Sequence, residues 1–467
     1  MNIRRENLLK TCNLLESKAD TNKKWRPKFH ISPKVGWLND PNGLCQFNGV
    51  YHIYYQYSPF DTKPGLNYWG HVTTKDFINY EYHEPALCSD EKFDCHGVYS
   101  GSALIENNEI NLFYTGNVKQ VGNFDYITQG REHNTIRVTS KNGFDFLNKQ
   151  LLMTNSVMSN SDYPKDVTCH VRDPKVWKEN GIYYMVLGAR RIDDVGEVLV
   201  YQSSDLTNWS LLNTLTTPKK FGFMWECPDM FILNDTRILT VSPQGIEPNG
   251  YLYNNVYQSG YFIVNGDFKS EYTLNQFTEL DHGFDFYAPQ TFKDDLDRRI
   301  LIGWLGLPDI DDYYTNPTND WVHMLTIPRK LSFKNDKLYQ EPLDELKNLR
   351  KSKKVISCND EVSFKTSTCF ELIAENLKNG FSFSLDDAII SYNGSVFKLE
   401  FGSSGMGRTF RAIETDNIEK IQLFCDNSAL EIFLNDGEYV FSSRFYPEND
   451  ILDVTIKSIP ETTIFEI

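Results

Sequence analysis

The chain has 467 residues, more than one ordinary core accommodates, so two domains are expected. Its formal net charge of −16 argues against a general binder of nucleic acid or anionic membrane, while leaving room for one local basic pocket for a small anion. Aromatic residues make up 14 %, with 26 Tyr and 31 Phe, a composition that favours strands.

Residues 1–25 carry no secretory signal pattern, and no apolar run in the chain is long enough to cross a bilayer. Leu8, Cys12 and Leu15 fall at i, i+4 and i+7, which predicts a short amphipathic helix docked on the body. The nine cysteines (12, 45, 88, 95, 169, 227, 358, 369 and 425) are odd in number and lack CxxC pairs. Reduced thiols in a cytoplasmic protein are the expectation, without a zinc site.

Residues 26–335 are organised by a repeat. Stretches beginning at Asp40, Ser100, Arg172, Glu226 and Ala288 each run from small or polar residues through an apolar segment to a polar tip, then on into a second apolar strand. The tips begin at Asn48, Asn107, Asn180, Asn234 and Asp297, with separations of 59, 73, 54 and 63 residues. A second echo, "TTKDFINYEY" at Thr73, "TSKNGFDF" at Thr139 and "SSDLTNWS" at Ser203, marks the outer part of three units. A loose period with hairpin chemistry predicts an all-β, five-bladed β-propeller, with a large sandwich as the plainer alternative. Residues 336–354 then read as a linker helix: Pro342 suits a first turn, and Leu343, Leu346 and Leu349 form an apolar stripe. Residues 355–467 alternate strand and turn, with Asn435-Asp436-Gly437 as a hairpin signal, which predicts a C-terminal β-sandwich.

The repeat bears on function through "WLNDPNG" at Trp37–Gly43. Asp40 precedes its tip by 8 residues, Asp173 by 7 and Glu226 by 8. Equivalent positions on the innermost strands of a propeller surround one end of its central channel, so the three acids should converge. Converging carboxylates serve either glycoside hydrolysis, which needs one ionised and one protonated acid, or a hard cation. The nearby aromatics Trp37, Trp69, Tyr99, Trp225 and Trp304 tilt the choice towards sugar, and no metal or other cofactor is expected.

"WLNDPNG", "RDP" at Arg172–Pro174 and "ECP" at Glu226–Pro228 resemble, in order, the three signature motifs of glycoside hydrolase family 32. "YQYSPF", "YWGH", "GVYSGSA", "GFDFYAPQTF", "GWLGLPD" and "LTIPR" add to the likeness, which runs from about Arg26 to the C-terminus. The resemblance implies a five-bladed propeller followed by a sandwich. It implies Asp40 as nucleophile, Glu226 as acid/base and Asp173 as transition-state stabiliser, with Arg172 holding the network together. Asn39, Gln56, Trp69, Ser100 and Trp304 match positions that line the family's fructose pocket. Trp37 belongs to the first motif, and Tyr99 stands where the family often has Phe. The implied reaction is a double displacement with retention, for which the Asp40 and Glu226 carboxyls should lie about 5–5.5 Å apart. One departure is Lys34, where relatives often carry a second proline.

Within that family, which contains invertases, fructanases and sucrose-6-phosphate hydrolases, the likeness leans to the bacterial sucrose-6-phosphate hydrolases. A cytoplasmic invertase or fructooligosaccharide hydrolase is the close alternative. A fructosyltransferase and a non-catalytic sugar-binding propeller are further readings. The partner expected is a small sugar, with neither nucleic acid nor membrane, and monomer and homodimer both fit. A phosphorylated substrate needs cations, and Lys63, Lys119, Arg131, Lys165, Arg190 and Arg191 are the candidates on predicted loops, with no motif choosing among them. The acidic run from Asp309 reads as a rim loop, without the ligand spacing of an EF-hand. His71 and His96 read as hydrogen-bonding support for the pocket, and Cys227 as a small packing residue.

Overall fold

The computed structural model describes residues 3–19, 24–155, 161–310, 318, 320–357, 360–377 and 380–467. Five sheets, antiparallel apart from one short parallel pairing, follow one another along the first two-thirds of the chain. The first holds β1 (Gly36–Phe47), β2 (Val50–Ser58), β3 (Tyr68–Thr74) and β4 (Glu81–Leu87). The second holds β5 (Val98–Glu106), β6 (Glu109–Lys119), β7 (Arg131–Ser140) and β8 (Leu147–Met153). In the third are β9 (Val167–Glu179), β10 (Ile182–Arg191), β11 (Gly196–Ser203) and β12 (Ser210–Leu215). The fourth comprises β13 (Met224–Leu233), β14 (Thr236–Gln244), β15 (Gly260–Gly266) and the short β16 (Tyr272–Leu274) and β17 (Thr278–Glu279). The fifth is built on β18 (Tyr287–Lys293) and β19 (Arg299–Leu305).

The leading strands β1, β5, β9, β13 and β18 touch one another in cyclic order, so the sheets are blades around a closed ring. The segment after the fifth blade's first hairpin fastens the ring. Its β20 (Trp321–Val322) pairs with β1 in the first blade, and β21 (Met324–Leu325) pairs with β19 in the fifth.

The inner tips explain why the repeat is legible. Asn48-Gly49, Asn107-Asn108, Asn180-Gly181 and Asn234-Asp235 are two-residue loops with positive φ at both positions. That is the turn whose twist matches a hairpin, and Asn, Asp and Gly are the residues that tolerate it. Asp297 also has positive φ, in a longer loop. The second echo falls at the outer turns of the first three blades. There Asp76, Asn142 and Asp205 each accept hydrogen bonds from the backbone N–H groups two and three residues on.

Two expectations about the connection are corrected. The fifth blade does not end near Asn335: β22 (Arg329–Lys334) and β23 (Lys337–Pro342) form its outer hairpin through Asn335-Asp336, both at positive φ. The expected linker helix therefore shrinks to a 3₁₀ turn over Asp344–Leu349, which buries Leu346 beside the buried Leu343. The leucine spacing is real, but the turn dipeptide before it starts a strand rather than a helix.

The C-terminal part is a sandwich of two six-stranded antiparallel sheets, running from Ser352–Ser357 to Glu461–Glu466. Its core is filled from both faces by Phe370, Leu372, Phe383, Leu385, Leu423, Ile432, Phe441 and Val454, among others. A buried polar network joins sandwich to propeller. Arg329 donates to Glu431 at 2.5 Å and to Asp281 at 3.2 Å, and His30 lies between Asp426 at 2.8 Å and Glu431 at 2.9 Å. Asp426 also accepts the backbone N–H groups of Lys28, Phe29 and His30, which fixes the chain's entry into the first blade.

At the N-terminus, α1 (Ile3–Lys18) buries Leu8 and Cys12 against Tyr68 and Cys88, with Leu15 half-buried. Lys34 forms a 3.0 Å ion pair with Glu16 of that helix, a half-exposed contact of small energetic weight. Among the described residues no helix is long and apolar enough to cross a membrane.

Candidate active site

Each innermost strand carries a β-bulge near its start. The ladder slips at Asn39–Asp40 on β1, at Ser100 on β5, at Asp173–Pro174 on β9, at Cys227–Pro228 on β13 and at Ala288–Pro289 on β18. Asp173, Cys227 and Ala288 have φ of 65°, 47° and 46°, conformations that cost of order 1–3 kcal/mol each and gather where function requires them. A bulge breaks the strict alternation of a strand, so neighbouring residues can face the same side. Thus both Arg172 and Asp173 reach the channel. The bulge also shows where the common phase of the three acids slips by one. Asp173 occupies the strained position itself, whereas Glu226 stands one residue before it and leaves Cys227 there.

The strands deliver their residues to one funnel of about 270 Å³. Its wall includes Trp37, Asn39, Asp40, Gln56, Tyr99, Ser100, Arg172, Asp173, Glu226 and Trp304, ten residues singled out from the sequence. Trp69 is the exception. It is fully buried beneath the wall, packed on Tyr54 and Tyr114, and donates its Nε1–H to the Tyr99 carbonyl at 3.1 Å. Its contribution is to the floor's shape.

Asp40 Oδ2 accepts a 2.5 Å hydrogen bond from Ser100 Oγ, and Oδ1 accepts one of 3.1 Å from Asn39 Nδ2. Asn39 is itself held by Trp37 Nε1 at 2.9 Å. Burial raises the Asp40 carboxyl above its ordinary range, the Ser100 hydrogen bond opposes this, and the charge of Glu226 adds to it. Asp173 is pushed up to about 7, first by burial; Arg172 pulls it down and Glu226 pushes it up. Arg172 pairs with Glu226 and lies 3.8 Å from Asp173, and burial together with the neighbouring charge holds the Asp40 and Asp173 carboxyls above their ordinary range.

Glu226 is gripped on both oxygens. Oε1 accepts from Arg172 at 2.5 and 3.2 Å, and Oε2 from Tyr287 at 2.6 Å and Gln244 at 2.8 Å. The Tyr287 hydroxyl also lies 3.2 Å from the Ser242 carbonyl, an alternative acceptor. It can therefore donate to an ionised Glu226, or turn its proton to Ser242 and accept one from a protonated Glu226. Cys227 does more than pack. Its N–H donates to Asp173 Oδ2 at 3.0 Å, and its sulfur sits 3.5 Å from Asp40 Oδ2 and 3.6 Å from Asp173 Oδ2. Burial and the three acids hold that thiol neutral.

The wall atoms with no partner among the described residues include the Gln56 side-chain oxygen and the Trp304 indole N–H. An orphan acceptor and an orphan donor, both buried, suit a ligand whose groups both give and take hydrogen bonds, as hydroxyls do. With Trp37 and Trp304 edge to face at 5.9 Å, the wall offers rings and polar atoms together. Among the described residues there is no group of three or more His, Cys, Asp and Glu arranged to hold a metal ion.

Tyr287, Gln244 and the Cys227 backbone escaped the sequence reading. Tyr287 lies inside "GFDFYAPQTF", but only the fold turns its hydroxyl on Glu226. His71 is not pocket support: it is buried outside the wall, against His52 at 3.0 Å and stacked on Tyr54. His96 backs the strand at Lys119, whose N–H it accepts at 3.1 Å. Of the acidic rim run, residues 311–317 and 319 lie outside the described residues, as does Cys358. Asp309 borders the funnel, with Tyr257 OH at 3.0 Å.

Residues 30–342 match the family profile described as the glycosyl hydrolases family 32 N-terminal domain, and residues 377–466 match the family 32 C-terminal domain. The chain belongs to glycoside hydrolase family 32. Family 32 relatives include a sucrose-6-phosphate hydrolase of Bacillus subtilis, 41 % identical over 90 % of this chain and 89 % of that protein. Another, from Vibrio alginolyticus, is 37 % identical over 94 % of this chain and 90 % of its own. The solved structure of sucrose-6-phosphate hydrolase from Lactobacillus gasseri superposes with a TM-score of 0.88 at 28 % identity, covering 99 % of both chains. Family membership makes the protein a glycoside hydrolase of the β-fructofuranosidase kind, with the propeller-plus-sandwich architecture read from the strands.

Proposed function

We propose that the protein is a retaining β-fructofuranosidase that hydrolyses sucrose 6-phosphate to glucose 6-phosphate and fructose. The observation that carries this reading is the trio itself: an acid that accepts from two donors, a second acid whose Tyr287 partner suits either protonation state, and a third on the same funnel wall. The substrate choice is supported by the relatives above. Free sucrose is a second substrate of the same site.

In the first step an Asp40 oxygen attacks the fructosyl anomeric carbon while Glu226 gives its proton to the glycosidic oxygen. The C–O bond to glucose 6-phosphate breaks as the ester to Asp40 forms. Ser100 and Asn39 hold Asp40 in line for that attack. Asp173, clamped by the Cys227 N–H, faces the sugar as positive charge develops. In the second step Glu226, now ionised, takes a proton from water. The water oxygen bonds to the anomeric carbon, and Asp40 leaves as a carboxylate. Two inversions give net retention. Tyr287 serves both halves by reversing its hydrogen bond as Glu226 loses and regains its proton.

The deciding experiment follows the first product anomer by NMR during rapid hydrolysis. β-Fructofuranose appearing before mutarotation supports double displacement; its α-anomer appearing first overturns it. Comparing kcat/KM for sucrose 6-phosphate and sucrose tests the substrate, with a preference for the phosphorylated sugar expected. We further assign the enzyme to the cytoplasm, supported by the eight described cysteines, all of which are free thiols.

A further inference from the structure

Arg131 stands on the funnel wall, half-buried, with no acceptor among the described residues to satisfy it. Its Nε has no partner, and its Nη1 lies 3.4 Å from His170 Nε2. That contact is not a hydrogen bond in the state the neighbours impose. Arg172 Nη1, which can only donate, is 2.7 Å from His170 Nδ1, so Nδ1 accepts and the ring proton sits on Nε2. Nε2–H is then spent on the Tyr126 carbonyl at 3.1 Å, and Arg131 meets an N–H. Burial and the two arginines hold His170 down to about 2, so the ring stays neutral and cannot turn both nitrogens into donors near neutrality.

The rest of the surroundings are no better for a cation. Lys119 lies directly opposite Arg131 on the β6–β7 ladder, a cross-strand pair of like charges that costs stability. Its Nζ rests 5.5 Å over the Tyr126 ring. The neighbouring acid Asp125 is committed to its own loop, accepting from Ile127, Thr128 and Gln129. Burial is the largest influence on both side chains, and among the described residues no carboxylate is paired with either. In a chain of net charge −16, a half-buried guanidinium facing an exposed lysine without an acid is an arrangement that an anionic ligand makes more favourable.

The other candidate cations lack this character. Arg190 and Arg191 are taken by Asp194 at 2.6 Å and Asp193 at 2.8 Å, and neither Lys63 nor Lys165 is on the funnel wall. Position completes the case. Contacts run from Glu226 through Arg172 and His170 to Arg131, so Arg131 lies on the side of the funnel from which the acid reaches the leaving group.

We infer that Arg131, with Lys119 beside it, is the anion site that receives the phosphate of the leaving sugar. The inference rests on the sucrose 6-phosphate reading, and it names the residues that make that substrate preferred. A guanidinium that pairs with no acceptor among the described residues gains two charge-assisted hydrogen bonds when a phosphate arrives, while a neutral sugar offers it only hydroxyls.

The test measures kcat/KM for sucrose 6-phosphate and for sucrose in the intact protein, in Arg131→Gln, in Lys119→Gln and in Arg191→Gln. Removing one partner of a buried charge pair lowers the ratio of the two constants by about 30-fold or more in Arg131→Gln. The exposed Lys119 lowers it a few-fold, and Arg191→Gln leaves it in place. In parallel, inhibition by glucose 6-phosphate weakens in Arg131→Gln, and inhibition by glucose does not. The inference is overturned if Arg131→Gln keeps the wild-type ratio, or if both substrates lose equally. A wild-type enzyme without preference for the phosphorylated sugar refutes the substrate reading instead, and this inference with it. Should Arg131→Gln fail to fold, Arg131→Lys and the thermal shift induced by glucose 6-phosphate over glucose carry the same comparison.

Discussion

Replacing Ser100 by alanine isolates one influence on the nucleophile. In the intact site burial raises the Asp40 carboxyl, and the 2.5 Å hydrogen bond from Ser100 is the largest influence opposing it. Without the hydroxyl, Asp40 Oδ2 keeps only the thiol of Cys227 at 3.5 Å. A hydrogen bond to a charged acceptor contributes about 1.5–3 kcal/mol, and a neutral carboxyl retains part of it. The difference between the two protonation states is therefore on the order of 1.4 kcal/mol, or about one pH unit. The sign is fixed: the donor favours the anion, so its loss raises the pKa further, and the anion is the attacking form. The acid limb of kcat/KM, which reports the free enzyme, moves up by about one pH unit in Ser100→Ala and stays in place in Ser100→Thr. Fructose release quantified by chromatography from pH 4 to 8 measures it. A limb that stays put while the plateau drops evenly would refute the reasoning and leave Ser100 a contact to the sugar alone.

Asp40→Asn is expected to fold with unchanged circular dichroism and to lose activity on the order of 10⁴-fold; full activity in a folded variant removes Asp40 from the mechanism. In Glu226→Gln the loss scales with the leaving group's need for a proton, so aryl fructosides with acidic phenols suffer least; equal losses across leaving groups would exclude proton donation. Iodoacetamide followed by peptide mass spectrometry should label Cys95 before Cys227, because Cys95 is partly exposed and Cys227 is buried with its thiol held neutral. His30, buried between Asp426 and Glu431, is raised to about 9 by hydrogen bonds and charge that outweigh burial, so its contribution, on the order of 3 kcal/mol, is complete below its unfolded value near 6.5 and lost as pH rises through 9. Urea midpoints should therefore fall between about pH 7.5 and 9 in the intact protein and flatten in His30→Gln; parallel slopes would deny His30 that role.

What the sequence made legible follows from which features are local. The Asn-Gly, Asn-Asn and Asn-Asp tips announce themselves because their dipeptides adopt the required φ values almost wherever they occur, and four of them at a loose period, with Asp297 marking a fifth, disclose the blades. The acids could be aligned because each precedes such a tip. What the sequence concealed depends on parity and depth. Asn335-Asp336 is the same kind of turn, yet the leucines after it fit a helical stripe and obscured the last hairpin. Trp69 sits in a strand buried along its whole length, so neither alternation nor proximity to a motif told wall from floor. Tyr287 meets Glu226 because the fifth blade turns towards the same axis, and Gln244 reaches it from the next strand of the same blade, facts no single strand contains.

The bulges connect these observations to the chemistry. An unbroken strand presents every second residue to the channel, which would give each blade one functional side chain at a given depth. By slipping the ladder at Asp173–Pro174, β9 presents both the guanidinium that grips Glu226 and the carboxylate that faces the sugar, at the cost of positive φ at Asp173. β13 uses the same slip differently. Glu226 is displaced one position from the phase of Asp173, and the strained position passes to Cys227, whose freed N–H holds Asp173 at 3.0 Å. Proline follows the strained residue on β9, β13 and β18, and lacking an N–H it leaves no ladder donor unmet. The "DP" and "CP" of the motifs are thus statements about backbone geometry as much as about side chains. Restoring regular pairing at position 173 would carry its carboxylate away from the funnel without changing a single acid.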